Sequence, residues 1–271
     1  MIAGWLCSWR AGSLSVIVVI GLSAAIYSSL AQSETCSLPS QHAGVTFPAE
    51  QIESHWACRL QPIINNYTTA NKIGPLRTSL PEAVYLYFLD HPPMAAALVN
   101  RLGIAPYQSE LRGLGRYWGN DGEGTEGIVE LVYQDRTSRI YYLEGSHDSR
   151  FRVHITGKAV VLLRMDRVTD SNGVEAMDST LVSYTRLDNR LLSGIVSLFR
   201  PLVGSTVTRK LAKGVDSVNR LSRVMQQQPD RVLAEATKSP GLSSDEAAFL
   251  KHALENLSHS SGATPSRTTS P

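Results

Sequence analysis

Strong signatures are what this sequence of 271 residues has least of. It has three cysteines, and with Cys7 inside an apolar leader only Cys36 and Cys58 remain, too few for a structural zinc site and with no histidine pair at ligand spacing beside them. Its basic excess is small. A net charge of +2 and a pI near 8.4 do not amount to the clustered footprint that nucleic-acid binding requires. No internal repeat is present, and a composition that is 42% hydrophobic argues against collagen, coiled coil and global disorder.

Catalytic and ligand motifs are missing in the same way. The close glycines of "RGLGRYWG" are not followed by a helix opening after a strand, so they cannot cradle phosphate, and a bend or a close approach is the better reading. "DGEGTE" (121–126) has glycine where a calcium loop needs oxygen ligands and reads as a hairpin turn. "GSHDS" holds a serine, a histidine and an aspartate as neighbours, whereas hydrolytic triads are assembled from separate segments; it too reads as turn chemistry. His154 falls on the polar face of its strand and reads as solvated. Glu130 and Asp178 are the carboxylates that would serve acid–base work if the register buried them.

What is present begins with an export segment over residues 1–33. Arg10 is its only charge, an apolar run follows, and small residues at Ser29, Ala31 and Ser33 suit cleavage. The rival reading is an anchor over residues 11–33, long enough to span a bilayer. No lipobox precedes Cys36. Export favours a Cys36–Cys58 disulfide, and the expected location is periplasmic or secreted. An arm over 34–71 carries a short helix with Ile52, Trp56 and Leu60 on one face, ending at Pro62. Ser79 and Glu82 form an expected capping box around Pro81, opening the helix "EAVYLYFL"; Asp90, Pro92 and Pro93 separate it from "MAAALVNRL", which Gly103 closes.

From 107 to 188 the apolar period becomes two, the mark of half-buried antiparallel strands. "SELRGLGRYW" alternates as one strand, "NDG" turns into "EGIVELVYQ", and "RTS" leads to "RIYYLEG". In "FRVHITGKAVVLLRM", Phe151, Val153, Ile155, Ala159, Val161, Leu163 and Met165 share one face, and "SNG" (171–173) turns into the last strand. An apolar run to Pro201 precedes a helix with Val207, Leu211, Val215, Val218, Ser222 and Met225 on one stripe. That helix region also carries Arg200, Arg209, Lys210, Lys213, Arg220 and Arg223, a solvated face or one drawn to an anionic membrane. A helical appendage over 229–257, with a capping box from Ser243 to Glu246, and a disordered tail over 258–271 complete the chain.

The segments "PEAVYLYFLDHPPMAAALV" and "LVGSTVTRKLAKGVDSVNRLSRVM", with strands between them, resemble the early helix pair and the grip helix of the START-like helix-grip superfamily. That superfamily includes polyketide cyclases, lipid-transfer domains and the birch-pollen allergen family. The resemblance covers residues 72–228 and departs from the family at "NKIGPLRTS", where a first strand is poorly marked. It implies an α+β fold in which a curved antiparallel sheet grips a long C-terminal helix over an apolar cavity. By position the implied cavity residues are Leu111, Gly113, Gly115, Tyr117, Val129, Leu131, Tyr133, Val161, Leu163 and Met165 from strands, with Val207, Leu211, Val215 and Val218 from the helix. The implied function is non-enzymatic binding or transfer of a hydrophobic small molecule or lipid without a cofactor or metal. The alternatives are a cyclase-like or hydratase-like enzyme using a buried carboxylate with Tyr117 or Tyr142, and an envelope interaction protein.

Overall fold

The computed structural model describes residues 36–148, 154–169, 173–188, 196–238 and 241–262, without the side chains of 196–203 and 258–262. The leader 1–33, Cys7, Phe151, Val153, residues 171–172 of the "SNG" turn and the tail beyond 262 lie outside the described residues. Among the described residues no helix is long and apolar enough to cross a membrane.

The arm is more ordered than its composition suggests. Strands β1 (Gln41–His42) and β2 (Val45–Thr46) form a small hairpin, and a 3-10 turn at Ala49–Gln51 leads into α1 (Ser54–Asn65). The sequence puts the end of this helix at Pro62, but α1 runs through it. Burying Ile63 and Ile64 beside Ala57 and Leu60 gains about 1.5–3 kcal/mol per side chain, enough to offset the roughly 3 kcal/mol that an interior proline costs. Cys58 on α1 is bridged to Cys36, with Cα atoms 5.0 Å apart, so the arm is tied to its helix.

His42 is 4% exposed, packed edge-on against Phe47 and Tyr184, with Nδ1 3.3 Å from the Tyr184 hydroxyl. Burial holds its pKa below the ordinary 6.5, outweighing an opposing hydrogen bond from the imidazole to the backbone carbonyl of Pro39. The unfolded chain therefore binds the proton more readily, so the His42 contribution is intact above pH 6.5 and lost as pH falls below it. Unfolding free energies measured at pH 7.5 and pH 5 are expected to fall less in His42→Asn than in the wild type; equal losses would refute this.

Strand β3 (Thr69–Thr78) occupies the poorly marked stretch. Gly74, at φ 116°, and Pro75 interrupt its pattern and shift the register between Ile73 and Leu76. Among the described residues β3 pairs on one side only, so the missing proline N–H is tolerated at an edge. Helices α2 (Glu82–Asp90) and α3 (Pro92–Arg101) follow as expected, and Gly103 (φ 70°) closes α3 with Ile104 N–H donating to Val99 O and Gly103 N–H to Asn100 O. The capping box of α2 does not form. Its first N–H, at Glu82, donates instead to Glu175 Oε1 (2.7 Å), and the Glu82 carboxylate takes a bidentate contact from Arg136.

"SELRGLGRYW" is a hairpin rather than one strand: β4 (Gln108–Gly113) and β5 (Arg116–Asn120) turn at Leu114 and Gly115, where Gly115 adopts φ 63°. β6 (Thr125–Gln134), β7 (Ser138–Asp148), β8 (His154–Thr169) and β9 (Glu175–Leu187) continue the meander. "GSHDS" is not a turn through Asp148, because those residues complete β7. The result is a seven-stranded antiparallel sheet in the order β3-β9-β8-β7-β6-β5-β4.

The centre of that sheet is buried on both faces, which corrects the half-buried expectation. Leu163 and Met165 pack with α2, α3 and the C-terminal helices on the inner face. Val160 and Leu162, their neighbours of opposite parity, pack under α1 with Phe47, Ile140 and Val182 on the outer face. Arg59 of α1 clamps this outer cover, lying 4.5 Å over Trp56 and 4.3 Å over Tyr142 while pairing with Glu130.

Helix α4 (Val196–Gln227) starts before Pro201 and runs 32 residues, so the apolar run from Val196 is its first turns and not a separate segment. Helices α5 (Pro229–Thr237) and α6 (Ser244–Gly262) close the base, with Leu250, Ala253, Leu254 and Leu257 buried in the inner core. Ser243 and Glu246 make the expected capping box. Residues 258–262, expected in the tail, continue α6.

Candidate functional site

α4 is held from two flanks. On one, Gly204 rests against Thr69 and Asn71 of β3, and Thr208 Oγ1 donates to Asn71 Oδ1 (2.9 Å). On the other, the β5–β6 turn reaches up: Asp121 pairs with Lys210, and Glu123 with Lys213 (2.5 Å). The turn is shaped for this, since Asp121 Oδ1 also accepts from the backbone N–H groups of Glu123 and Thr125. Burial works to raise the Asp121 pKa, but Lys210 and those N–H groups outweigh it and hold it below the usual carboxylate value. "DGEGTE" is thus a hairpin turn that binds the long helix. Two cations of the supposedly solvated face are committed to it, and Arg220 donates to Ile104 O. Arg209, Asp216 and Arg223 remain exposed; the Arg200 side chain lies outside the described residues.

With β3 on one flank and the hairpin on the other, helical geometry turns the stripe Val207, Leu211, Gly214, Val218, Leu221 and Met225 toward the sheet. Its two ends differ. Leu221 and Met225 are each 1% exposed and belong to the packed core, whereas Val207, Leu211 and Val215 are half-buried and belong to neither core. α4 runs close along β3 and stands off the central strands, while α1 lies directly on β8 and β9. A Cβ placed on Gly214 would meet no atom within 4 Å. The half-buried apolar side chains of the N-terminal part of α4 and the open space at Gly214 outline a candidate apolar groove against the sheet.

The inner face below it carries Tyr117, Val129, Leu131, Leu143 and Ala159, all half-buried, and Val161. Leu163 and Met165, expected in the cavity, are sealed in the core at its base. Four expected lining residues lie elsewhere. Leu111 is 64% exposed on the edge strand β4, Gly113 ends that strand and Gly115 is in the hairpin turn. Tyr133 is carried to the outer face by the register shift between Leu131 and Tyr133, where its hydroxyl donates to Gln51 (2.6 Å). Tyr142 is also on the outer face, under Arg59. Val215 sits toward the β3 flank of the stripe, and Ser222 is buried there, donating to Ser79 O (2.7 Å).

The floor of the groove is polar in a way the sequence did not announce. Arg139, 4% exposed, places NH1 2.8 Å from Asp90 Oδ1 at the α2–α3 junction. That contact is an ion pair, and among the described residues Arg139 Nε has no acceptor. Tyr141 beside it has its pKa pushed up to about 12 by burial, against the opposing pull of Arg139. Tyr85 is bonded to Ser179 (2.8 Å), and Tyr117 donates to Asp90 O (3.3 Å). Glu130 and Asp178 are not part of this floor: both lie on the outer face, Glu130 between Arg59 and Arg116 and Asp178 in a bidentate pair with Arg77 that lowers its pKa.

Above the groove, Gly119, Gly127, Gly145 and Gly157 are successive cross-strand partners over β5, β6, β7 and β8. On the outer side of this row lies an open recess of about 400 Å³, lined by Trp118, Glu126, Glu144, Ser146, His154, Thr156, Asp188 and glycine backbone. Its polar groups are engaged locally: Glu126 with Asn120, Glu144 with Tyr142, Asp188 with Thr156, and His154 with Asp148. His147, on the inner side, bonds Thr125 (2.9 Å). Among the described residues no group of three His, Cys, Asp or Glu side chains could hold a metal ion.

No family model matches this chain, and no curated protein matches it. Among solved structures it is similar to a conserved protein from Geobacillus kaustophilus, at 11% identity and TM-score 0.41, covering 57% of this chain and 95% of that one. It is also similar to Ara h 8.0201, at 12% identity and TM-score 0.35, covering 57% of this chain and 98% of that one. The helix-grip arrangement of this chain is established by its own strand order and helix contacts.

Proposed function

We propose that this chain is an exported binding protein for an apolar small molecule or lipid, held between the inner face of the sheet and the N-terminal part of α4. The observation that carries this reading is the open space facing Gly214 in the middle of an inward apolar stripe. Apolar side chains left half-buried around an open space lack contacts that a ligand would supply. Val129, Leu131, Leu143, Val207 and Leu211 are placed to supply it. The disulfide supports export, since such bridges persist in oxidising compartments, and so does the apolar leader of the sequence. Acid–base chemistry through Glu130 or Asp178 is not supported, because neither faces the groove.

The test fills the space. Gly214→Trp places an indole in the groove and exchanges glycine for a better helix former. The wild type is expected to bind N-phenyl-1-naphthylamine with enhanced fluorescence. The variant is expected to bind it about tenfold more weakly, a loss of roughly 1.4 kcal/mol, with an unchanged or raised thermal midpoint. A wild type that does not take up the probe refutes the reading.

A further inference from the structure

Two buried hydroxyl side chains and the half-buried Asn71, whose Nδ2 is itself buried, meet under α4 with unused hydrogen-bonding capacity. Asn71 of β3 and Ser183 of β9 are direct cross-strand partners, and Thr69 stands two residues before Asn71 on the same face. Ser183 is 1% exposed and Thr69 8%. Among the described residues neither hydroxyl has a hydrogen-bond partner, and neither does Asn71 Nδ2. Thr208 secures the other amide atom of Asn71 and so holds that side chain beneath the helix. Buried polar atoms are nearly always paired, and apolar residues of the same shape would cost the free protein less. Three such atoms at adjacent positions beneath α4 could receive a polar group that arrives from outside the chain.

The sign of that group follows from the surroundings. The inner face continues from this patch through Thr185, Ala159 and Val161, none of them charged. The buried cation of the groove, Arg139, is already opposed by Asp90. We propose that the ligand carries a neutral hydroxyl or carbonyl head on its apolar body and that Thr69, Asn71 and Ser183 bind that head. This rests on the groove reading above and sharpens it.

Displacement of N-phenyl-1-naphthylamine by 1-decanol, decane and decanoate tests the idea in the wild type, Ser183→Ala and Thr69→Val. In the wild type 1-decanol is expected to displace the probe about tenfold better than decane, a factor in keeping with one well-made bond to an otherwise unpaired group. In each variant that preference shrinks toward one, while the ligand-free thermal midpoint holds or rises because an unpaired hydroxyl is gone. Equal displacement by 1-decanol and decane in the wild type overturns the proposal, as does an undiminished preference in both variants. A lowered midpoint shows the hydroxyls to be structural and also overturns it. Displacement by decanoate about tenfold better than by 1-decanol replaces the neutral head with an acidic one at Arg139. If the probe itself does not bind the wild type, the groove reading fails and this one falls with it; if the probe binds and the alcohol is not preferred, the groove reading stands alone.

Discussion

Gly145→Ala is expected to destabilise the fold by about 3 kcal/mol, at the upper end of what overpacking usually costs, in denaturant unfolding. Gly145 is the centre of the four-glycine row, with Gly127 and Gly157 as its partners. A Cβ there would overlap the backbone carbonyl of Glu126 on the neighbouring strand. At Gly127 the same atom would come 2.5 Å from Glu144 O and 2.6 Å from the Gly145 Cα. Those obstacles are main chain, so no rotamer change relieves them and the strands themselves must part. Gly214→Ala is the internal control: its Cβ meets nothing, and alanine in a helix is favoured over glycine by about 1 kcal/mol. The two substitutions are therefore expected to move stability in opposite directions. A Gly145→Ala protein as stable as the wild type would show that the row is not a close approach of strands.

Asp90→Ala is expected to cost about 2–3 kcal/mol although Asp90 is a surface residue, because it strands a buried guanidinium. Arg139 is 4% exposed, and its partner carboxylate, at the corner between α2 and α3, is 46% exposed. Solvent at the carboxylate side places the cost below that of a fully buried pair. Arg139→Met in the Asp90→Ala background removes the unpaired charge and is expected to recover most of the loss, so the double-mutant cycle gives a coupling of comparable size. Asp178→Ala provides the contrast. Its pair with Arg77 is bidentate, yet Arg77 is 53% exposed, and about 1 kcal/mol or less is expected from such a pair. If the two aspartates cost the same, Arg139 is not held as a buried charge.

Both residues show where sequence reading stops. Asp90 was legible as a helix-stop beside Pro92 and Pro93, and that is its local role. Its second role, opposing Arg139, depends on the α2–α3 corner lying beneath β7, a contact between residues 49 apart in the chain. The glycine row was equally hidden: Gly119, Gly127, Gly145 and Gly157 lie in four strands, and only their registers align them. The signal was available as one glycine in each of four successive strands. Thr69 and Asn71 were hidden because β3 itself was poorly marked, and Ser183, on the well-marked β9, showed no role until β3 was paired beside it.

Local periodicity determined what depends on neighbours in sequence: the α+β class, the α2–α3 pair with its Gly103 cap, the amphipathic stripe of α4, and the hairpin turns at "NDG" and "RTS". Side-chain direction at 3.6 or 2 residues per repeat is a property of the segment alone, so it could be read directly. The tertiary structure decided everything that depends on register and pairing. One shifted residue between Leu131 and Tyr133 moved a tyrosine to the other face. α1 buried a sheet face expected to meet water. Lys210 and Lys213 met Asp121 and Glu123 instead of solvent. A strand exposes either face with equal ease, and which one meets a helix is settled only when distant segments pack.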